Sequence, residues 1–132
     1  MEYWVIPCNT RFFDIVDHFS KNTKVVWKND SSISEGDCVF LYLGAPLSQI
    51  KYKCKVLDVD VCEEILTQNQ YAIRGNDKYK KRQKYMMLEM EKEFKDGVYT
   101  FSELKSEGLG QVQKQARVDR RLKAYLTLEG AI

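Results

Sequence analysis

The sequence predicts an α+β domain, a small mixed β-barrel with two or three helices packed outside it, built by residues 1–132 as a single unit. Three observations predict it. Short β-branched and aromatic runs recur between turn signals. One run, Ile50 to Val61, keeps up its alternation for so long that the strand must bend, as the strands of small barrels do. Apolar residues change to helical spacing around Phe12–Phe19 and again at Leu122–Leu126. With 132 residues and 44% hydrophobic content, the chain suits one core and not two.

Taken in order, Tyr3-Trp4-Val5-Ile6 is a first strand stopped by Pro7. Asn9 or Thr10 is the expected cap of a helix to about Lys21, whose face carries Phe12, Phe13, Ile15, Val16 and Phe19. Lys24 to Trp27 returns as a short strand, and Asn29-Asp30-Ser31-Ser32 is a polar turn. Gly36-Asp37 then feeds the apolar run Cys38-Val39-Phe40-Leu41-Tyr42-Leu43, the pattern of a tight turn before a buried strand. After the Gly44-Ala45-Pro46 break comes the long strand to Val61. Residues 63–83 are a poorly patterned connection, with a short extended piece at Gln70–Ile73 and a turn at Gly75-Asn76-Asp77.

A strong strand follows at Lys84–Phe94. Leu88 and Met90 disturb its register, and Glu89, Glu91 and Glu93 line its wet face. Thr100 or Ser102 caps a helix over Phe101–Glu107 that Gly108 ends. Leu109 to Gln113 is a loop or edge strand, and Asp119–Leu126 is a terminal helix with Leu122, Tyr125 and Leu126 inward.

Composition excludes several classes. No apolar run approaches the ~20 residues that span a bilayer, and the Met1-Glu2-Tyr3-Trp4 start is unlike a secretory leader. A cytoplasmic protein with no membrane partner is expected. Cys8, Cys38, Cys54 and Cys62 stand singly, and His18 is the one histidine, so buried reduced thiols are expected and no metal site. No phosphate loop and no nucleophile, base and orienter set is present. The expectation is a binder and not an enzyme, without cofactor. Its charge is asymmetric: residues 1–66 hold seven Lys/Arg against ten Asp/Glu, net −3, and residues 67–132 hold fourteen against nine, net +5. Basic clusters beside a folded core are the footprint of a polyanion binder, and on another view only a solvated loop and helix face.

The two strands meeting at Gly44-Ala45-Pro46, with Trp27 and Tyr42 near their ends, would make a wall for a flat ligand. Without further context, such a Trp and Tyr are more often barrel core than cage. Asn9 is expected to serve as a helix cap. Gln111 and Gln113 are either plain loop residues or donors and acceptors for a base edge.

The ordered series Tyr3-Trp4-Val5-Ile6, Trp27-Lys28, Ile33-x-x-Gly36-Asp37-x-Val39-x-x-Tyr42 and Ile50-x-Tyr52-x-Cys54-x-Val56 resembles an EVE domain of the PUA superfamily, kin to the YTH and ASCH domains. Phe101-Ser102-Glu103-Leu104, Gly108-Leu109 and the closing helix resemble that family's C-terminal part. The resemblance implies a pseudobarrel that holds a flipped, modified nucleobase, as YTH domains hold N6-methyladenine. It makes Trp27 one wall of an aromatic cage, with Lys28 where YTH domains usually carry a small residue. It sets Asn9 near the pocket mouth and Tyr42 at the end of the Gly-Asp strand. A second cage aromatic has no match, since Leu43, Ala45 and Pro46 stand where it would be sought.

The implied base-binding set is Asn9, Trp27, Lys28, Tyr42, Gln111 and Gln113. The basic clusters supply phosphate contacts from Lys80, Lys81, Arg82, Lys84, Arg117 and Arg120. Stacking on an aromatic returns ~1–3 kcal/mol against a flipping cost of a few, and a buried methyl adds roughly 0.8. The partner expected is nucleic acid, with methylated DNA favoured, in a restriction or defence context with an effector nuclease domain or subunit. RNA binding, and a small-molecule or protein-interaction domain, are the alternatives.

Overall fold

The computed structural model describes residues 1–11, 13–61 and 84–132. Its elements are β1 (Tyr3–Cys8), α1 (Ile15–Lys21), β2 (Lys24–Lys28), β3 (Cys38–Leu43), β4 (Gln49–Asp58), β5 (Tyr85–Glu93), α2 (Phe101–Ser106), β6 (Ala116–Arg117) and α3 (Arg120–Leu128). The strands form one mixed sheet in the order β2-β5-β4-β3-β1-β6. Only β1 and β3 run parallel; the other neighbours are antiparallel. The ladder does not join β2 to β6, so the expected barrel is an open-seamed pseudobarrel.

β3 is buried on both faces, which is why its sequence is a continuous apolar run and not an alternating one. Val39, Leu41 and Leu43 face an inner core with Trp27, Tyr52, Met86 and Leu88, which α1 covers through Ile15 and Phe19. Cys38, Phe40 and Tyr42 face an outer core closed by Leu104 of α2 and by Leu122 and Leu126 of α3. The strands bend where pairing slips. Opposite Lys53 and Cys54 the partner jumps from Lys92 to Met90, leaving Glu91 as the extra residue, and a second slip leaves out Leu57. Bulges of this kind sharpen twist and let a short sheet curl.

Asp37 ties the start of the chain to this sheet. Its carboxylate accepts from Glu2 N–H at 3.0 Å, Ser34 N–H at 2.9 Å and the Trp4 indole N–H at 3.0 Å. Gly36 before it adopts φ +89°, a conformation open to glycine and strained for other residues. His18 Nε2 lies 2.6 Å from the Lys24 carbonyl and so links α1 to β2.

Three boundaries differ from the sequence expectation. β1 continues through Pro7 to Cys8. The Glu2 and Cys8 carbonyls accept from Cys38 and Gly44 on the β3 side, whereas the Tyr3 carbonyl accepts from Val118 on the other. Alternation therefore turns residue 7 toward the β6 side, where β6 pairs only with Trp4 and Val5, and no ladder bond needs the missing N–H. α1 is capped by Asp14, whose side chain accepts from Asp17 N–H at 3.0 Å, while Asn9 folds a local turn by accepting from Arg11 N–H at 3.0 Å. β4 ends at Asp58, short of Val61. Thr100 caps α2 as the sequence suggests, and Asp119, expected as the first residue of α3, is its cap. Phe12, Cys62, Gln70–Ile73 and Gly75-Asn76-Asp77 lie outside the described residues.

Candidate nucleic-acid interface

The open seam of the sheet carries a cleft. β6 is two residues long, and Pro7 has no N–H with which to extend pairing beyond it, so residues 112–115 stand off from the end of β1. The space between them is a cleft of about 690 Å³. Its floor is Pro7 and Cys8 of β1 with Tyr42, Gly44 and Ala45 at the end of β3. One wall is Asn9 and Arg11, another is Asp30 and Ser31 after β2, and Val112, Gln113, Lys114 and Gln115 form the third. The parallel pair β1 and β3 thus ends together at the cleft, and three loops enclose it.

Gln115 stitches two of these walls. Its Nε2–H donates to the Lys28 carbonyl at 2.7 Å and its Oε1 accepts from Asp30 N–H at 3.0 Å. Asn29 N–H meanwhile donates to the Lys84 carbonyl on the β5 side at 3.0 Å. The exposed edge of β2 is thereby bonded by a side-chain amide where a neighbouring strand would otherwise stand.

The cleft's chemistry is polar with one aromatic. Tyr42 is 8% exposed, and burial pushes its phenol up from the ordinary value, so it stays a neutral donor and acceptor at neutral pH. Asn9 Oδ1 is engaged by Arg11 N–H, which leaves its amide N–H groups to donate. Gln113 donates to Gln111 at 3.1 Å and retains its own carbonyl oxygen. Among the described residues, Arg11 and Lys114 form no ion pair. Two uncompensated cations at the mouth of a cleft that contains one carboxylate, Asp30, give it a positive rim. No group of three His, Cys, Asp or Glu that could hold a metal occurs among the described residues.

Of the residues nominated from sequence, Asn9, Tyr42 and Gln113 come together here; Gln111 lies beside the cleft as the partner of Gln113. Lys28 contributes its carbonyl to the Gln115 stitch and does not line the cleft. Trp27 departs from its expected place. It is 0% exposed, sits in the inner core, and meets the Phe13 ring edge-on at 6.0 Å. β2 turns alternate side chains inward, and residue 27 falls on the inward parity, so the indole is sealed from the cleft in this conformation. Its N–H has no partner among the described residues.

Arg117 reaches Glu2 at 3.8 Å and covers the Trp4 ring at 5.1 Å. Arg120 is exposed at the first turn of α3, and Lys84 is exposed just before β5. Lys80, Lys81 and Arg82 lie outside the described residues. Sequence reasoning missed Arg11, Asp30, Ser31 and Gln115 as lining residues; Lys114 was visible only as one member of a basic cluster.

Comparison with known proteins adds the fold. No protein-family model matches the sequence, and no curated protein matches it. Solved structures do. A mutant form of ASCH from Zymomonas mobilis superposes with a TM-score of 0.68 at 10% identity, covering 97% of this chain and 96% of that one. The chain shares the fold of that protein. A hypothetical protein from Leishmania major has a TM-score of 0.63 at 18% identity over 99% of this chain and 95% of its own. A protein from Rhodopseudomonas palustris reaches 0.62 at 11% over 99% and 94%. Identities this low establish architecture alone: an open-seamed pseudobarrel, matched over nearly the whole chain. In this chain the cleft described above lies at the open seam of that architecture. No helix among the described residues is long and apolar enough to cross a membrane.

Proposed function

We propose that the protein binds a single strand of nucleic acid, seating one base in the seam cleft and the adjoining phosphates on Arg11 and Lys114. One observation carries this: a cleft of about 690 Å³ brings together Tyr42, the amides of Asn9 and Gln113, and two cations without ion-pair partners among the described residues. A base needs a face to lie against and polar groups at its edge; its backbone needs cations within reach. The PUA-like fold is consistent with that use.

Energetics favour a single strand over a duplex. Extruding a base from a duplex costs a few kcal/mol, and one aromatic face returns ~1–3 kcal/mol. An aromatic sandwich could cover that cost with certainty, but it would need Trp27, which lies in the inner core. A strand already unstacked has less to repay. Reading of a methylated base is the narrower form of this proposal, in which a dry niche beside Tyr42 adds roughly 0.8 kcal/mol per methyl. The lining groups are hydrogen-bonding partners and cations, and we assign them binding and not turnover.

Fluorescence anisotropy with labelled single-stranded RNA and DNA, each with and without base methylation, and with the matching duplexes, tests this. Saturable binding to single strands, weakened when Tyr42→Ala and Arg11→Gln are introduced, is the expected result. Absence of saturable binding to every strand at low salt overturns it.

A further inference from the structure

We infer that Gln115 is a positioning residue for the cleft: its side-chain amide acts as a one-residue surrogate strand that joins the two open edges of the sheet and so fixes the distance between the cleft walls. The inference rests on the binding role proposed for that cleft, but its physical basis is independent of it.

In a parallel ladder, one residue donates its N–H to the carbonyl before its partner and accepts from the N–H after it. The Gln115 side chain repeats that pattern around Asn29, donating to Lys28 and accepting from Asp30 at 2.7 and 3.0 Å. Asn29 itself bonds to Lys84 on the opposite side, so the groups that Gln115 meets are those a neighbouring strand would have met. Gln115 immediately precedes β6, the last strand of the sheet order, and Lys28 ends β2, the first, with residues 29 and 30 following it directly. Among the described residues, a sheet whose backbone ladder stays open is therefore joined here by a side chain. The same point divides two walls of the cleft, since Asp30 and Ser31 lie on one side of it and residues 112–114 on the other.

An amide fits both bonds because it carries a donor and an acceptor in one plane. A carboxylate offers only acceptors and would face the Lys28 carbonyl with like polarity. A protonated carboxyl restores the donor. This supplies a test that simple loss of packing would not reproduce.

The experiment compares wild type, Gln115→Ala and Gln115→Glu by residue-resolved amide exchange, by thermal melting and by anisotropy with the single strand that wild type binds best. In Gln115→Ala the Asp30 amide and those of residues 112–116 should exchange about tenfold faster or more, with affinity down about tenfold, as expected for two lost hydrogen bonds. The melting point should hold within a few degrees, because the core is untouched. Gln115→Glu should match Gln115→Ala at about pH 8 and recover toward wild type near about pH 4.5, where a carboxyl raised by a facing carbonyl regains its proton. Wild type measured at both pH values corrects for the pH dependence of the rest of the chain, including the charged residues nearest Gln115, namely Lys28, Asp30 and Lys114. Unchanged Asp30 exchange in Gln115→Ala overturns the inference, as does faster exchange with unchanged affinity. If wild type binds no strand at all, the proposed function falls, and exchange at Asp30 and 112–116, with its recovery in Gln115→Glu at low pH, still decides whether Gln115 joins the walls.

Discussion

Replacing both cleft cations, Arg11→Gln with Lys114→Gln, should change how binding responds to salt more than it changes anything else. Among the described residues, Arg11 and Lys114 are the cations that line the cleft, so the proposed site offers two phosphate contacts there. For a single strand, each neutralised phosphate contributes about −0.7 to the slope of log affinity against log salt. The double variant should therefore be shallower by about 1.4. Over a fourfold rise in salt, from about 50 to 200 mM, wild type should lose about sevenfold more affinity than the double variant, and each single variant should fall near the midpoint. Anisotropy titrations of one labelled oligonucleotide at four salt concentrations measure this directly. Folding is not a confounder, since exposed substitutions of this type stay within about 0.5 kcal/mol. Arg117→Gln is the comparison, because that guanidinium is already shared between Glu2 and the Trp4 ring. Parallel salt lines for wild type and the double variant would show that neither cation meets a phosphate, and the cleft would lose its assigned partner.

Asp37→Ala should cost about 3–5 kcal/mol, since it strands three donors, one of them a buried indole N–H, and should lower the melting temperature by about 10–20 °C; a drop below about 3 °C would refute that role. Burial raises the Asp37 pKa, but the hydrogen bonds from Glu2, Ser34 and Trp4 outweigh it and leave it below the ordinary carboxylate value. Its stabilisation is thus complete above the unfolded-state pKa and lost as pH falls through the lower folded one, so Asp37→Asn should flatten the acid unfolding limb below about pH 4, as followed by circular dichroism. Trp27→Phe should reduce stability by about 1–3 kcal/mol and leave strand affinity within about twofold; a tenfold affinity loss in the folded variant would make the indole a base wall after all. Tyr42→Phe should weaken binding by about fivefold, the value of one hydrogen bond, with melting nearly unchanged. Equal affinities for Tyr42→Phe and wild type would remove the phenol from the contact.

Periodicity carried most of the architecture. β3 was legible because a strand buried on both faces has no polar positions, and β4 because it alternates residue by residue. Thr100 was legible as a cap, standing just before its helix, whereas Asp119 read as the first residue of the helix that it caps. The cap of α1 was not, because Asn9, Thr10 and Asp14 are all good capping residues and only the tertiary path decides that Asn9 bonds Arg11 instead. Pro7 reads as a stop unless one knows which strand edge it faces, a property of the sheet order and not of the local sequence. Trp27 illustrates the same limit at the site: one step of parity along β2 separates a core indole from a wall. Gln115 belongs to the series Gln111, Gln113, Gln115, in which nothing local ranks one amide above another. What distinguishes it is an approach of chain segments more than eighty residues apart.

The seam ties these observations together. Two strand edges carry backbone groups that must be satisfied by a neighbour, by water or by a ligand. Had β6 been longer and residue 7 able to donate, backbone pairing would have consumed the edge of β1 and filled the cleft. Pro7 prevents the first, and a two-residue β6 leaves residues 112–115 free to form a wall. The remaining gap is bridged where Gln115 meets residues 28–30, and it is left open where Asn9, Arg11, Tyr42 and Lys114 converge. Incomplete closure of the barrel is thus what provides the cleft, and the side chains that stop closure are placed at its border. A substitution that improved the ladder at this seam would stabilise the sheet and remove the cleft, which places stability and recognition in opposition at one identifiable edge of the fold.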